Sequence, residues 1–179
     1  MKKFYVSFVF LLLVSAIGFG QSKSFGPGKL NIGIDGASIV GAYGDVYTSG
    51  LGFSAKFELP VNKNVYGTLS TGYESIFTKS DSVSQRGYKS SYDFLPTQIG
   101  LKYCYKGHFF AEGQVGIVLS TGASRKGLFA DQTLTSPTFI YSIGVGYTVS
   151  RGVEAGFRYE GWDEGVTFKQ LALRLAYRF

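Results

Sequence analysis

The chain has very few of the residues that form disulfides, metal sites and many catalytic sites. Cys104 is the only cysteine and His108 the only histidine of 179 residues, which excludes a disulfide framework and a metal site built from thiolates. Only four prolines and no low-complexity tract are present, which argues against disorder. No run of five or six cations occurs, so the net charge of +6 does not indicate nucleic-acid binding. We expect neither a cofactor nor a metal ion.

Long apolar runs are also missing, except at the amino end. A short basic start precedes the almost wholly apolar run Phe4–Phe19, and small residues suited to a signal peptidase follow. This run is shorter than the ~20 residues of a membrane-spanning helix, although an uncleaved anchor is the alternative. The predicted division is a cleaved signal peptide at 1–20, a periplasmic amino-terminal segment at 21–29 and a folded domain at 30–179.

Alternating hydrophobicity is the main pattern in the rest of the chain. In residues 171–179, leucines and aromatic residues share one parity, and alanines and arginines share the other. Successive side chains of a β-strand point to opposite faces, so this segment predicts a strand with one apolar and one cationic face. The eight segments that alternate in this way are Leu30–Asp35, Leu51–Leu59, Val65–Glu74, Thr97–Tyr105, Phe109–Leu119, Phe139–Val149, Val153–Glu160 and Gln170–Phe179.

The links between these segments alternate between short and long. Short links fall at 60–64, 106–108 and 150–152, and longer polar ones at about 36–50, 75–96, 122–138 and 161–169. This alternation is typical of an up-and-down barrel with short periplasmic turns and outer loops. The sequence therefore predicts an all-β fold, an eight-stranded antiparallel up-and-down transmembrane β-barrel with both chain ends on the periplasmic side.

The direction in which the apolar parity points separates this fold from a soluble, ligand-binding barrel. Soluble barrels place apolar residues inside, whereas transmembrane barrels place them outside. Here the apolar parity carries aromatic residues too bulky to fit together inside a small barrel. We therefore expect this parity to face lipid, with Leu101 near mid-membrane. Gly100 then faces the lumen, and Gly100→Ser should be much milder than Leu101→Arg if the small polar side chain fits.

The lumen parity carries acids and bases in nearly equal number. Unpaired charges are costly in a narrow, poorly hydrated interior, so this balance favours a paired structural network over a channel. The short link at 106–108 predicts that Lys102 lies opposite Glu112 as a buried ion pair, and that Cys104 lies buried opposite Phe110. The predicted network consists of Lys56, Glu58, Glu74, Lys102, Glu112, Glu154, Arg158, Glu160, Arg174 and Arg178.

Several segments resemble the porin-like outer-membrane β-barrel domain family of Gram-negative bacteria. They are Phe57–Gly67, Leu101–Tyr103 with Phe110–Gly116, and Phe157–Trp162 with Leu173–Phe179. The layout is also similar to that of the small eight-stranded barrels typified by OmpX and the membrane domain of OmpA. The resemblance implies a bacterial outer-membrane location, contact with outer-membrane lipid, and insertion by the barrel-assembly machinery, with Tyr177 and Phe179 as the carboxy-terminal insertion signal. It implies no catalytic residues.

An enzyme is the first rival function, because some eight-stranded outer-membrane barrels are lipid acyltransferases. Acyl transfer would need a histidine beside a nucleophile or carboxylate. His108 is predicted to lie in a tight turn without a flanking Ser or Asp. We therefore expect that the protein is not an enzyme.

The outer loops carry the second candidate site. Contact with lipopolysaccharide is suggested by loop cations, although interspersed acids favour an ordinary solvated loop. We expect a monomeric, non-catalytic barrel with a structural or surface-interaction role and a lumen plugged by charged side chains. The alternative is a narrow porin-like passage for small solutes. The loop cations are Lys79, Arg86, Lys89, Arg125 and Lys126.

Overall fold

Eight antiparallel strands close into a barrel in the computed structural model, which describes residues 26–79, 90–120, 137–149, 152–163 and 167–179. Each strand pairs with its neighbours in sequence, and the last strand pairs with the first. The predicted fold class is confirmed. The strands are β1 (Lys29–Val40), β2 (Tyr47–Pro60), β3 (Val65–Thr78), β4 (Ser91–Tyr105), β5 (Phe109–Ser120), β6 (Thr138–Thr148), β7 (Val153–Asp163) and β8 (Phe168–Arg178).

The two ends of the barrel differ in their connections. At one end, here named the turn end, short links join β2 to β3 and β4 to β5. The first residue of β1 and the last residue of β8 also lie at this end. The β4–β5 turn is tight because Lys106 and Gly107 both have positive φ, and the His108 amide donates to the Tyr105 carbonyl. At the opposite, loop end, the 3₁₀ turn Gly41–Asp45 joins β1 to β2. Residues 1–20, the predicted signal peptide, lie outside the described residues.

Strand pairing fixes the stagger of the barrel. Following pairing partners from Leu30 of β1 once around the sheet leads to Lys169 of β8, which pairs with Val40 of β1. The register therefore advances by ten residues per circuit. Such a stagger requires strands tilted by roughly 35–45°, and an eight-stranded barrel then has an interior just wide enough to be filled by side chains.

The outer face carries an apolar belt. Ile34, Ile143 and Leu173 are each about two-thirds exposed, at 65%, 66% and 65%, although they are large and apolar. Aromatic side chains surround the turn end of this belt, which matches the girdle at a membrane interface. Exposure of so much apolar surface to water is unfavourable, so the barrel requires a hydrocarbon surrounding. The outward aromatic residues at the turn end are Tyr103, Tyr105, Phe109, Tyr147, Tyr177 and Phe179.

A charge at the centre of the belt should destabilise the barrel strongly. Leu101 faces outward and is 60% exposed, so Leu101→Arg should lower the free energy of unfolding in lipid vesicles by roughly 2–4 kcal/mol. Ser38, exposed near the loop end of β1, provides the matched control. Ser38→Arg should lose only about 0–1 kcal/mol, since the penalty falls toward the interfaces. Equal losses in urea titrations would contradict the lipid-facing assignment of Leu101.

The packing around Gly100 does not meet the condition that a small polar side chain fits there. A Cβ at this position would lie 2.8 Å from the Cα of Gln114 and closer still to the carbonyl oxygen of Gly113, both backbone atoms of β5. At outward-facing Gly113, by contrast, an added Cβ would meet no described heavy atom within 4 Å.

These two glycines form a matched pair for mutation. Gly100→Ala should lower the free energy of unfolding by about 1–3 kcal/mol, because the neighbouring backbone must move. Gly113→Ala should change it little. Chemical unfolding of the two variants side by side provides the measurement, and a larger loss at Gly113 would contradict this packing.

Several strands extend further toward the loop end than the sequence pattern predicts. β1 continues to Val40 instead of ending at Asp35, β3 continues to Thr78, and β4 begins at Ser91 instead of Thr97. The predicted links 36–50 and 75–96 are therefore partly strand. In these extensions the inward positions carry apolar side chains, so the contrast between the two faces disappears while the strands continue. Most of the predicted link 122–138 lies outside the described residues.

Candidate functional site: the barrel lumen

The lower part of the lumen, nearer the turn end, is filled by buried lysines and glutamates. The Lys102 ammonium donates to Glu58 Oε1 at 2.7 Å and to Glu154, and it lies 4.1 Å from the centre of the Phe110 ring. The Lys56 ammonium lies 2.8 Å from Glu112 and 3.2 Å from Glu154. Both lysines are almost completely buried. The two cations are therefore held by three carboxylates on β2, β5 and β7.

Two arginines form the upper part of the charge network. The Arg158 guanidinium donates to Asp35 Oδ1 at 2.7 Å and to Glu160. Arg174 donates from Nε to the Ser54 hydroxyl at 2.9 Å and lies 3.9 Å from Asp35. A further Arg174 nitrogen lies 3.7 Å from Glu154. Arg174 thus connects the upper arginine group to the lower lysine group.

The predicted Lys102–Glu112 register is confirmed, but the predicted ion pair between them is wrong. Lys102 lies opposite Glu112, and Cys104 lies opposite Phe110, as the short link predicts. The Lys102 ammonium nevertheless reaches Glu58 and Glu154 on other strands, while Glu112 pairs with a different lysine. In so narrow a barrel, long inward side chains reach across the lumen to other strands as easily as to the adjacent one.

Three other residues at the lumen differ from the expected arrangement. Glu74 is buried and accepts from the Gln170 amide at 3.2 Å, and among the described residues it has no cation within ion-pair distance. Arg178 is half-buried at the turn end, also without an ion pair among the described residues. Cys104 is half-buried instead of buried, because it lies near the mouth at the turn end. The named residues therefore share the lumen, but Glu74 and Arg178 stand outside its ion pairs.

Uncharged polar side chains add hydrogen bonds that sequence reasoning missed. The Gln114 amide donates to the Thr68 hydroxyl at 2.9 Å, and the Ser142 hydroxyl donates to Gln98 at 2.8 Å. The Gln170 amide also donates to Glu160 at 2.6 Å, next to Glu74. Their inward parity can be read from the sequence, but these side chains are uncharged, and the predicted network included charged residues only.

Above the charge network, the loop end of the lumen is filled by apolar side chains. Trp162 stacks on Phe168 with ring centres 4.7 Å apart and meets Phe94 edge-on at 4.9 Å. Ile76 and Ile140 are 1% and 0% exposed. We name this cluster the apolar cap. It consists of Ile39, Val46, Tyr47, Ile76, Tyr92, Phe94, Val118, Ile140, Trp162 and Phe168.

The apolar cap was not predicted, although the sequence contains a signal for it. Alternation continues past the predicted strand ends: Ile76 follows Glu74 at the same parity, and Trp162 follows Glu160. An interior apolar layer in a transmembrane barrel reverses the usual rule of a polar lumen. Continuing each strand at fixed parity until a turn residue appears would have revealed this layer.

Little space remains between the lumen side chains. Two cavities of about 30 and 10 Å³ lie in the network, and Arg174 and Glu112 line both. Such volumes hold on the order of one or two water molecules. A much larger concavity of about 1130 Å³ is lined mainly by outward apolar side chains such as Val145, Phe157 and Leu173. Most of its lining faces lipid, and inward Asp35, Phe110 and Arg174 also contribute to it.

Other candidate residues lie away from the lumen. His108 is in the β4–β5 turn, as predicted, where its Nδ1 lies 3.1 Å from the Thr148 carbonyl oxygen. Tyr177 and Phe179 lie on the outward face, with ring centres 4.9 Å apart. Within the described ranges no three His, Cys, Asp or Glu residues are grouped to hold a metal ion. Of the loop cations, Lys79 is described, and the others, Arg86, Lys89, Arg125 and Lys126, lie outside the described residues.

No protein-family model matches this chain, and no curated protein matches it in sequence. In fold it is similar to the outer-membrane protein Ail of Yersinia pestis, with a TM-score of 0.58 and 15% identity over 86% of this chain and 100% of Ail. The amino-terminal barrel domain of Pseudomonas aeruginosa OprF gives a TM-score of 0.55 and 11% identity, covering 84% and 97%. The outer-membrane enzyme PagL gives 0.55 and 14%, covering 82% and 98%.

At these identities the likeness establishes the fold. The predicted type of barrel, a small eight-stranded outer-membrane barrel, is confirmed. The apolar belt and this shared fold both agree with the predicted location in the bacterial outer membrane. The neighbours include an enzyme as well as barrels not described as enzymes, so the fold does not determine the activity.

Proposed function

We propose that this outer-membrane barrel has a lumen closed to solutes and ions, and that its role is structural or lies in surface contacts at the loop end. The observation that carries the proposal is the filling of the lumen by two chemically different layers. The charge network holds its lysines and arginines against carboxylates at 2.7–3.9 Å, and the apolar cap packs above it.

The two layers oppose conduction in different ways. An ion that entered the charge network would have to displace buried cations from their carboxylates, which leaves charges uncompensated. An ion that reached the apolar cap would lose most of its hydration shell against Trp162, Phe94 and Ile140, and the cap carries only a few hydroxyl and indole N–H groups in its place. The cavities of about 30 and 10 Å³ that lie among the described side chains of the network each hold only about one or two water molecules.

Planar-bilayer recordings test this proposal against the narrow porin-like passage. Purified, folded protein should give no stable, reproducible conductance steps. The triple variant Phe94→Ala, Trp162→Ala, Phe168→Ala removes three rings of the cap but leaves the charge network in place, so it should also give no steps. Steps of constant amplitude from the unaltered protein, absent after heat unfolding, would favour the porin-like function and contradict a closed lumen.

The proposal includes a non-catalytic role and a monomeric barrel. It is supported by the position of His108, whose ring nitrogen faces a backbone carbonyl oxygen in a turn. Contact of the loop end with lipopolysaccharide is a further part of the proposal, supported by the cations of the outer loops. Insertion by the barrel-assembly machinery through Tyr177 and Phe179 is supported by their outward, exposed positions at the end of the last strand.

Export is proposed to remove residues 1–20 and to leave 21–29 as a periplasmic segment before the barrel. Amino-terminal sequencing of membrane-inserted protein should therefore begin at Gln21, because small residues precede it at the cleavage site. Replacing Gly18 and Gly20 by bulky residues should retain the longer precursor. Membrane-inserted protein that begins at Met1 would contradict the proposed cleavage.

A further inference from the structure

The two ends of the barrel carry different kinds of charge. At the turn end, the described charged side chains outside the ion pairs of the charge network are all cationic, and we name this group the cationic collar. The acids nearest this end, Glu58, Glu112 and Glu154, are turned inward in the charge network, where Glu58 and Glu154 are buried and Glu112 is half-buried. At the loop end, Asp45 and Asp163 are exposed together with Lys169. The cationic collar consists of Lys29, Lys63, Lys106 and Arg178.

Two members of the collar stand beside the lipid-facing belt. The Lys106 ammonium lies 5.2 Å from the centre of the Tyr105 ring, and Tyr105 is an outward girdle residue that is 53% exposed. Lys63 lies in the β2–β3 turn next to Val61, which is 56% exposed. Lysines in such positions extend their stems along apolar surface and hold the amine among the headgroups. The Lys106 amine therefore lies at the level of the aromatic girdle, and Lys63 is exposed in a turn at the same end of the barrel.

The other members stand nearer the mouth of the lumen. The Lys29 ammonium lies 5.6 Å from the centre of the Tyr66 ring, and Arg178 is half-buried at the end of β8. His108, although not counted as a cation, extends the girdle at the same level by stacking on Tyr147 with ring centres 5.6 Å apart. The turn end thus combines a ring of aromatic side chains with four cations at its surface, and its described acidic side chains lie in the charge network.

We propose that the cationic collar binds the anionic headgroups of phospholipids such as phosphatidylglycerol in the leaflet at the turn end. This inference rests on the outer-membrane location of the barrel but not on the closure of its lumen. Lipid is the occupant because the Lys106 amine lies beside outward-facing Tyr105, and Lys63 follows exposed Val61 in the neighbouring turn, so both lysines are next to the lipid-facing belt. Basic side chains at a membrane surface attract anionic lipid in this way.

Lipid retention in nanodiscs tests the proposal. The protein is reconstituted in phosphatidylcholine with a minor fraction of phosphatidylglycerol, and native mass spectrometry counts the lipids that stay bound on release. We expect phosphatidylglycerol to be enriched several-fold over its bulk fraction. The double variant Lys63→Gln, Lys106→Gln should lose at least half of this enrichment. The control Lys79→Gln, Lys169→Gln, which removes the same charge at the loop end, should retain it.

Three outcomes would overturn the proposal. They are an absence of enrichment in the unaltered protein, unchanged enrichment in the turn-end double variant, and an equal loss in the loop-end control, which would indicate a general charge effect. Displacement of the lipid by soluble glycerol phosphate at low concentration would instead identify a site for free anions. The folded state of each variant is checked by circular dichroism. Conductance and lipid retention are separate readouts, so a conducting barrel would contradict the closed lumen without affecting this inference.

Discussion

Replacing Lys102 by methionine should lower the free energy of unfolding by about 3–5 kcal/mol, because it leaves two buried carboxylates without their nearest cation. The Lys102 side chain is fully buried, and its ammonium contacts Glu58 and Glu154. Urea unfolding in lipid vesicles, followed by the fluorescence of the single tryptophan, measures the loss. A loss below about 1 kcal/mol would show that the ion pairs do not hold the lumen together.

A double-mutant comparison identifies which carboxylate Lys102 depends on. Glu58→Gln should couple strongly to Lys102→Met, since Lys102 supplies the only contact of Glu58 at hydrogen-bond distance among the described residues, 2.7 Å. Glu112→Gln is the matched control, because Glu112 is the strand partner of Lys102 but pairs with Lys56. Its effect should be closer to additive. If Lys102→Met coupled more strongly to Glu112→Gln than to Glu58→Gln, the result would contradict these contacts and would support the Lys102–Glu112 ion pair expected from strand register.

Trp162→Ala should lower the free energy of unfolding by about 3–5 kcal/mol, because it removes the largest side chain of the apolar cap and leaves a cavity among rigid strands. Trp162 is 3% exposed and packs between the rings of Phe94 and Phe168. Since this variant loses the fluorescence probe, unfolding is followed by circular dichroism and by the gel mobility of the folded form.

The control for the cap lies on the same strand. Phe157 faces outward and is 45% exposed, so lipid tails fill the space that Phe157→Ala leaves, and the loss should be smaller. Equal losses for Trp162→Ala and Phe157→Ala would mean that the cap is no more tightly packed than the lipid-facing surface. The cap would then not form a second closing layer.

Strand number, parity and the short turns were predictable from the sequence because they depend on local periodicity. Successive side chains in a strand alternate in direction, so Leu101 and Lys102 must point to opposite faces wherever the strand lies. The short link at 106–108 likewise fixes the register of β4 on β5, which made the Lys102–Glu112 alignment predictable. Both follow from a few adjacent residues and need no knowledge of the remaining chain.

Strand length at the loop end was less predictable. A period of two is detected only while the two faces differ in polarity, and in the extensions both faces are apolar or mixed. Ile76 and Phe94 therefore fell within predicted loops, although they are buried residues of β3 and β4. The steric limit at Gly100 was hidden for a different reason, because the atoms that an added Cβ would meet belong to another strand.

The number of alternating strands, their apolar face and the set of residues that share the lumen follow from the order of residues along the chain. The pairing of each cation with its carboxylate, and the apolar cap above them, arise only when the strands are assembled. Closure of the sheet with a stagger of ten residues brings β2, β4 and β7 within reach of one another across a narrow interior. Contacts across that interior depend on the summed tilt of all eight strands, which no local stretch of residues encodes.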